Sequence, residues 1–323
     1  MNENNILKNR HEIVFIYDVR DANPNGDPDN SNMPRVDDAT EENIVTDVRL
    51  KRTIRDYWLA KGKKVLIRAE TDENGNRKTM DDLATEFLNL GTITTKNAGE
   101  ARKKLANEMP KEYIDVRTFG AAVTLAKANY SLTGTVQFGL GRSLNIPMIQ
   151  TKTITSTLAS TEEKGAGAIG EYHIVDYSLI KFHGIVSEIN AHETGYTNVD
   201  LTQLFNGLWA GTKQLNTRSK FNHTPRLLID VESSEGKSQI GDLDLCFELD
   251  KKEEIKSVEQ AVLNISEFIS RIEKVNDNIH SLNIKHNNAL KLTNNNEEIK
   301  DLKEYLSKKF PNITINELKI EGE

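Results

Sequence analysis

The sequence predicts an α+β protein built on a ferredoxin-like core, the fold that RNA-recognition domains also use. An apolar strand pattern near the N-terminus is followed by an amphipathic helix, and a second set of strand, helix and strand patterns lies between residues 171 and 232. The stretches between these two halves have the composition of insertions. With 323 residues, the chain is long enough for one such domain with insertions, or for two domains.

The first element is a buried strand over residues 12–19 (EIVFIYDV), which contains five consecutive apolar residues rich in β-branched and aromatic types. A loop with three prolines follows and runs to about residue 43. From Asp21, this loop matches the first six positions of a calcium-binding loop. The twelfth position, which must supply a bidentate carboxylate, is Asn32, and a strand precedes the loop where a helix is required. The sequence therefore disfavours calcium and favours a loop stiffened by Asx turns and prolines.

The second element is a helix from about residue 47 to 61, with Thr46 or Asp47 as its cap and Gly62 as its end. Its apolar residues share one side, as expected for a helix that packs on the strand. Three basic residues share the opposite side. Like charges on one turn repel each other, so this cluster predicts a bound anion. They are Lys51, Arg52 and Arg55.

The middle of the chain alternates between helical and strand patterns. Residues 70–110 carry a polar turn and then helical spacing, while residues 113–160 are rich in Gly and Thr and favour strands. A long strand pattern covers 171–189. A helix capped by Asp200 and a buried strand over 225–232 complete the predicted core.

Beyond Lys251 the spacing of apolar residues predicts two amphipathic helices and little else. The first would be built on Val258, Val262, Ile265, Ile269 and Ile272, and the second on Ile299, Leu302, Leu306 and Phe310.

The charge of −7 is distributed unevenly along the chain. Residues 46–68 hold eight basic and two acidic side chains, whereas residues 231–323 hold 13 basic and 19 acidic ones. Such a polarity suits a protein that holds a polyanion on one face. The single cysteine, Cys246, excludes a disulfide framework, and no stretch resembles a signal peptide or a membrane span, so a cytoplasmic location is expected.

Motifs for catalysis and metal binding are weak. GAGAIG (165–170) has the spacing of a dinucleotide-binding loop, but a strand pattern follows it where a helix is needed. The histidines lack metal-ligand spacing, and no serine sits in a nucleophile elbow. VQFGLGRSLN (136–145) combines glycines, which let a backbone approach a phosphate, with Arg142 as a phosphate partner. The sequence thus predicts no catalytic residue, no metal site and no cofactor.

Five ordered motifs carry a family resemblance: YDVRDANPNGDPDNSNMPRVD, VTDVRLKRTIRDYW, DVRTFGAAV, TGTVQFGLGRSLN and HIVDYSLIKFHGIVS. Together they span about residues 12–232 and resemble the Cas7 family, the RAMP-superfamily backbone subunit of CRISPR type I interference (Cascade) complexes, in its I-B/I-C branch. The resemblance implies a single domain: a modified ferredoxin-like palm with helical fingers inserted at about 70–110, a β-hairpin thumb at about 136–170, and C-terminal helices over 251–323. The core would comprise about 12–68, 111–135 and 171–232.

The resemblance also implies a non-catalytic antiviral role. Copies of the chain would stack head-to-tail along a CRISPR RNA, contact other Cascade subunits and present the guide for pairing with a target DNA strand. The residues expected at the RNA lie in the first loop, on the basic helix, and in or near the thumb. They are Arg20, Asn23 and Asn25; Lys51, Arg52 and Arg55; and Gln137, Phe138, Arg142, Lys152 and Lys164.

Two other functions stay open at this point. In related type III complexes the backbone subunit cuts target RNA with an aspartate in the loop after the first strand, and Asp21, Asp27 and Asp29 lie in the matching region. A metal-dependent endoribonuclease is therefore the alternative. An oligomeric scaffold without nucleic acid would fit the acidic C-terminal part, but it leaves the basic helix unexplained.

Overall fold

The computed structural model describes residues 5–125, 127–155 and 169–323. Within them, the helices are α1 (Asp47–Ala60), α2 (Met80–Leu88), α3 (Ala98–Asn107), α4 (Met109–Glu112), α5 (Ile114–Phe119), α6 (Glu188–Thr194), α7 (Asn198–Gln214), α8 (Ser266–Lys274) and α9 (Leu302–Lys309). The strands are β1 (His11–Ala22), β2 (Gly26–Asp27), β3 (Met33–Pro34), β4 (Ile44–Val45), β5 (Gly120–Val123), β6 (Tyr130–Thr133), β7 (Val136–Phe138), β8 (Gly141–Ser143), β9 (Ile149–Thr155), β10 (Ile169–Val186), β11 (Thr224–Ser233), β12 (Glu248–Leu249), β13 (Val262–Asn264), β14 (Ile279–His286), β15 (Lys291–Asn294), β16 (Glu297–Ile299) and β17 (Thr314–Glu317). No helix in these ranges is long and apolar enough to cross a membrane.

A mixed central sheet organises the molecule, with strand order β17-β14-β11-β1-β10-β8-β4 and with β7 and β9 also paired to β10. Strand β1 lies between β10 and β11 and is antiparallel to both, whereas β14 and β17 are parallel. The predicted strands over 12–19, 171–189 and 225–232 are confirmed as β1, β10 and β11. Strand β1 is buried along nearly its whole length because both faces of the sheet are covered.

Helices α1 and α7 cover one face of the sheet. The predicted helix over 47–61 is confirmed as α1, and the side chain of Thr46 caps it by accepting a hydrogen bond from the backbone N–H of Arg49. Buried Trp58 donates its Nε1–H to the backbone oxygen of Gln203 on α7. Helix α7 is capped by Thr197, and Asp200, three residues later, is the reciprocal partner of this cap. The prediction that Asp200 itself caps the helix is therefore wrong by about one turn.

The C-terminal part covers the other face and is richer in strands than the sequence predicted. Only α8 and α9 are regular α-helices there, and the first begins at Ser266, not near Val258. Val258 lies in a 3₁₀ turn and Val262 begins β13. A four-stranded sheet, β12-β13-β15-β16, and strand β14 account for the remaining apolar positions. Helical spacing was a poor guide because these short strands are buried through long-range pairing.

A separate apolar cluster forms where α2 and α3 pack against β5 and β6, around Leu83, Leu105 and Leu132. The helical spacing predicted within 70–110 is confirmed by α2 and α3. IDVRTF, predicted to favour a strand, forms α5. Strand β9 pairs with the distal half of β10 as a long hairpin. Its tip, with Lys164 and most of GAGAIG, lies outside the described residues.

Candidate nucleic-acid interface

The loop after β1 is held in shape by its own amide side chains. Asn25 Oδ1 accepts hydrogen bonds from the backbone N–H and the hydroxyl of Thr46, at 2.8 and 2.9 Å, and so ties the loop to the start of α1. Asn23 is buried and donates its Nδ2–H to the backbone oxygen of Asn32, at 2.8 Å. The expectation that both amides face RNA as free donors is therefore wrong for Asn23. The bonds from Thr46 occupy only the acceptor oxygen of Asn25, so its predicted role as a donor to RNA stays a prediction.

The carboxylates of this loop also have partners. Asp27 forms an ion pair with Arg35 at 3.1 Å and accepts a long hydrogen bond from the backbone N–H of Asp29. Asp21 is exposed and has a positive φ of 52°, an uncommon conformation for a residue other than glycine. Among the described residues, no group of three or more His, Cys, Asp or Glu side chains could hold a metal ion.

Helix α1 does not present the uncompensated cluster of charges that its sequence suggested. Lys51 pairs with Asp47 at 2.8 Å, and Arg52 pairs with Asp56 at 2.7 Å. Both pairs join residues four apart, the spacing at which helical side chains meet. The carboxylates of Asp47 and Asp56 neutralise the repulsion among the basic side chains, which was the reason to expect a bound anion. Arg52 and Asp56 are exposed, so Arg52 can exchange its partner for a phosphate at little cost, whereas Lys51 is only 12% exposed.

Arg55 is a core residue, and its assignment to the RNA is corrected. Its guanidinium is buried, donates from Nε to Asp115 Oδ2 at 3.0 Å, and lies 5.2 Å from the centre of the Phe119 ring. Asp115 also accepts the backbone N–H groups of Leu66 and Ile67, at 2.8 and 3.0 Å. The pair therefore fastens α5 to α1 and to the segment that follows it, and its side chains are buried away from a ligand.

The residues predicted to contact RNA on β7 and β8 differ in how far they are exposed. Phe138 is buried, because it packs against Gly184 of β10 so closely that a Cβ there would lie 2.5 Å from its ring, and its assignment to the guide is wrong. Gln137 is exposed next to Lys51, with Oε1 and Nζ 3.5 Å apart. Arg142 is partly exposed and is bound by Asp37 and Glu42 at 2.9 and 3.1 Å.

The remaining predicted cations lie where β1, β9 and β10 leave the sheet. Arg20 near the end of β1 is 60% exposed, with Asp21 at 3.8 Å. Lys152 is exposed on β9, directly opposite Tyr172 of β10.

The structure adds a basic loop that the sequence motifs did not single out, residues 215–223 after α7. Arg218 lies over the ring of Tyr172, 5.5 Å from its centre. Lys220 donates to the backbone oxygen of Asn23 at 3.3 Å, and Phe221 is 59% exposed. The signal was present in TRSKFNH, where basic and aromatic residues alternate.

These residues form one surface, which we call the hairpin-base face. The cross-strand pairing joins Lys152 to Tyr172, and the ring contact joins Tyr172 to Arg218. No carboxylate of the described residues lies within ion-pair distance of Lys152, Arg218 or Lys220, in contrast to the cations of α1. Exposed cations beside exposed aromatic rings can hold phosphates and stack bases at once. The face consists of Lys152, Tyr172, Arg218, Lys220 and Phe221. Arg20, near the end of β1, is a separate exposed cation.

Two comparisons of the sequence with known proteins agree. The family model described as CRISPR-associated protein Cas7 matches residues 9–266. A protein of Haloferax volcanii, described as CRISPR-associated protein Cas7, is 30% identical over 315 residues, covering 90% of this chain and 91% of that protein.

Comparison of the folds points in the same direction. A chain from a structure described as "CRISPR RNA-guided surveillance complex, pre-nicking" aligns with this chain at a TM-score of 0.51 and 13% identity. The alignment covers 88% of this chain and 96% of the other. A chain from another CRISPR RNA-guided surveillance complex gives a TM-score of 0.51 at 11% identity, with 86% and 88% covered. At these identities the likeness concerns the fold alone. The family model and the relative each span most of the chain, so the resemblance carried by the five motifs is confirmed: the chain belongs to the Cas7 family.

Proposed function

We propose that this chain is an RNA-binding backbone subunit of a Cascade-type complex that holds a CRISPR RNA and presents it to a target DNA strand in antiviral defence. The observation that carries the proposal is the hairpin-base face, where exposed aromatic rings lie together with cations that have no ion-pair partner among the described residues. Its chemistry suits a polyanion with stacked bases, whatever their sequence. Family membership and the fold shared with chains of surveillance complexes support the same function.

The topology supports a palm of the ferredoxin-like kind. The strand order β11-β1-β10-β8, with α1 and α7 on one face, is that of two split β-α-β units. In this assignment α2 to α4 are the fingers and the β9–β10 hairpin is the thumb. The domain boundaries expected from the sequence are kept, except that residues 251–323 are a mixed layer of strands and helices.

The proposed partners are a CRISPR RNA, further copies of the chain in a head-to-tail filament, and other subunits of a complex of the I-B/I-C kind in the cytoplasm. The proposed RNA contacts are Arg20, Lys152, Tyr172, Arg218, Lys220 and Phe221, with Lys51, Arg52, Gln137 and Arg142 at the edges. Lys164 stays a prediction.

The subunit is proposed to be non-catalytic and to need no cofactor. A metal-dependent ribonuclease would need carboxylates free to coordinate, and Asp27 is already bound to Arg35. Asp21 and Asp29 are both exposed, but in the described part of the chain neither belongs to a group of three or more His, Cys, Asp or Glu side chains that could hold a metal ion.

The purified chain is expected to carry RNA of discrete length, because a filament of fixed geometry protects a fixed stretch of its guide. Gel analysis of the extracted nucleic acid, with and without ribonuclease treatment, measures this. When the assembly is incubated with Mg²⁺ and a long complementary RNA, the RNA is expected to stay intact. Regularly spaced cuts that disappear on Asp21→Ala, Asp27→Ala or Asp29→Ala would establish the ribonuclease instead.

A further inference from the structure

Lys220 of the hairpin-base face lies close to a second basic side chain, Arg49 of α1, and neither has an ion-pair partner among the described residues. Arg49 of α1 is partly buried and donates to the hydroxyl of Thr53 at 2.9 Å. Burial lowers the pKa of its guanidinium. Burial, and then the charge of Arg49, lower the pKa of the Lys220 ammonium. No carboxylate of the described residues lies within ion-pair distance of either cation. Two like charges are thus held close together and partly out of water.

His223 completes this group. It is buried, it stacks on Tyr17 with ring centres 5.6 Å apart, and its Nε2 has no hydrogen-bond partner among the described residues. Burial, and then the charges of Lys220 and Arg49, lower the pKa of His223 to about 3, so the imidazole is neutral at pH 7. A neutral imidazole can still donate one N–H to an anion.

A cleft lies between Arg49 and His223, and its volume is about 10 Å³. Lys220 does not line the cleft, but its hydrogen bond to Asn23 holds it next to Pro24, which does. The other lining residues are Tyr17, Leu50, Thr53, Thr212 and Leu215. The volume of the cleft is close to the space one water molecule occupies. The cleft can therefore receive a single oxygen atom of a larger group that remains outside, beside Lys220.

We propose that Arg49, Lys220 and His223 form a subsite for one phosphodiester group of the bound RNA, with a non-bridging oxygen in the cleft. An anion there would supply the missing counter-charge and a partner for the orphaned Nε2. The fit to one oxygen favours the tetrahedral phosphodiester, whose other oxygens continue into the chain, over a planar carboxylate from a neighbouring copy. This inference rests on the proposed RNA-binding function and assigns three residues that the sequence motifs did not.

The test is Lys220→Gln, which should act on stability and on binding in opposite directions. In RNA-free protein, the substitution removes a repelling, partly desolvated charge, so its melting temperature should equal or exceed that of the wild type. Its affinity for a single-stranded RNA should fall about tenfold, the loss of one charged hydrogen bond. The slope of log affinity against log salt should become shallower by about 0.7. Lys220→Arg should keep the wild-type RNA affinity and salt slope. Lys237→Gln, on an exposed loop, is the matched control.

The other outcomes separate the alternatives. If the wild type binds RNA and Lys220→Gln binds it equally well, the subsite is overturned while the proposed function stands. If the wild type binds no RNA, the subsite and the proposed function are both contradicted.

A lower melting temperature of Lys220→Gln would mean that Lys220 only holds the loop through Asn23. Smaller assemblies with unchanged RNA affinity would assign the site to a neighbouring copy's carboxylate. Inorganic phosphate that stabilises the wild type but not Lys220→Gln, with RNA affinity unchanged, would assign it to the free ion. Each of these three results overturns the inference.

Discussion

Replacing Asp115 with alanine is expected to lower the free energy of unfolding by about 3–5 kcal/mol, the range found when one partner of a buried ion pair is removed. The carboxylate is fully buried and accepts hydrogen bonds from Arg55 and from two backbone N–H groups, those of Leu66 and Ile67. Its loss leaves a guanidinium and two amides without partners inside the protein. Urea unfolding followed by circular dichroism measures the change.

The matched control is Asp56→Ala. Asp56 also pairs with an arginine of α1, Arg52, but both side chains are more than 40% exposed. Exposed pairs contribute about 0–1 kcal/mol, so this variant should unfold close to the wild type. Equal losses for the two variants would contradict the assignment of Arg55 to the core, and would reopen its role at the RNA.

Reversing three charges, with Lys152→Glu and Arg218→Glu on the hairpin-base face and Arg20→Glu near the end of β1, is expected to weaken RNA binding at least about a hundredfold near physiological salt. Each change removes a phosphate partner and adds a repelling carboxylate. All three residues are exposed, so stability should change little. RNA affinity by fluorescence anisotropy and particle size by gel filtration are the measurements.

A second triple variant separates this local effect from a change in overall charge. Lys237→Glu, Lys274→Glu and Lys303→Glu change the net charge by the same amount at exposed sites on the C-terminal side of the molecule. Its RNA affinity should stay within a few-fold of the wild type, because distant charges are screened within about 10 Å. Comparable losses in both variants would mean that the hairpin-base face is not the binding surface.

The parts of the fold that the sequence predicted well are those set by local patterns. Strand β1 follows from a run of apolar residues, and α1 from a cap at Thr46 and an apolar stripe that packs on β1. The long strand β10 and helix α7 follow in the same way. The order of five motifs then identified the family, which no single motif could do.

The partners of charged and aromatic side chains could not be predicted, because they come from distant parts of the chain. Arg55 looks like a surface cation on a helical wheel, and only Asp115, 60 residues later, makes it a core residue. Phe138 is buried because Gly184 leaves room for its ring. The strands of the C-terminal part are likewise stabilised by pairing that local spacing does not reveal.

The sequence predicted a basic binding site for RNA but assigned it mainly to helix α1. Motif reasoning emphasised α1, where carboxylates compensate Lys51 and Arg52. Arg218 and Lys220 have no such partner in the part of the chain that the structure describes, and they lie in a loop that matches no motif. Their place in the candidate site is evident only from the folded structure, in which the loop contacts Asn23 and Tyr172.

The central claim is that this chain holds RNA through its backbone phosphates, and a salt titration tests it most directly. The affinity of RNA-free protein is measured for two single-stranded RNAs of equal length and unrelated sequence, at salt concentrations from about 0.05 to 0.2 M. The account predicts similar affinities for both RNAs and a steep linear fall of log affinity with log salt. Affinity that does not change with salt, or binding of only one of the two sequences, would contradict it.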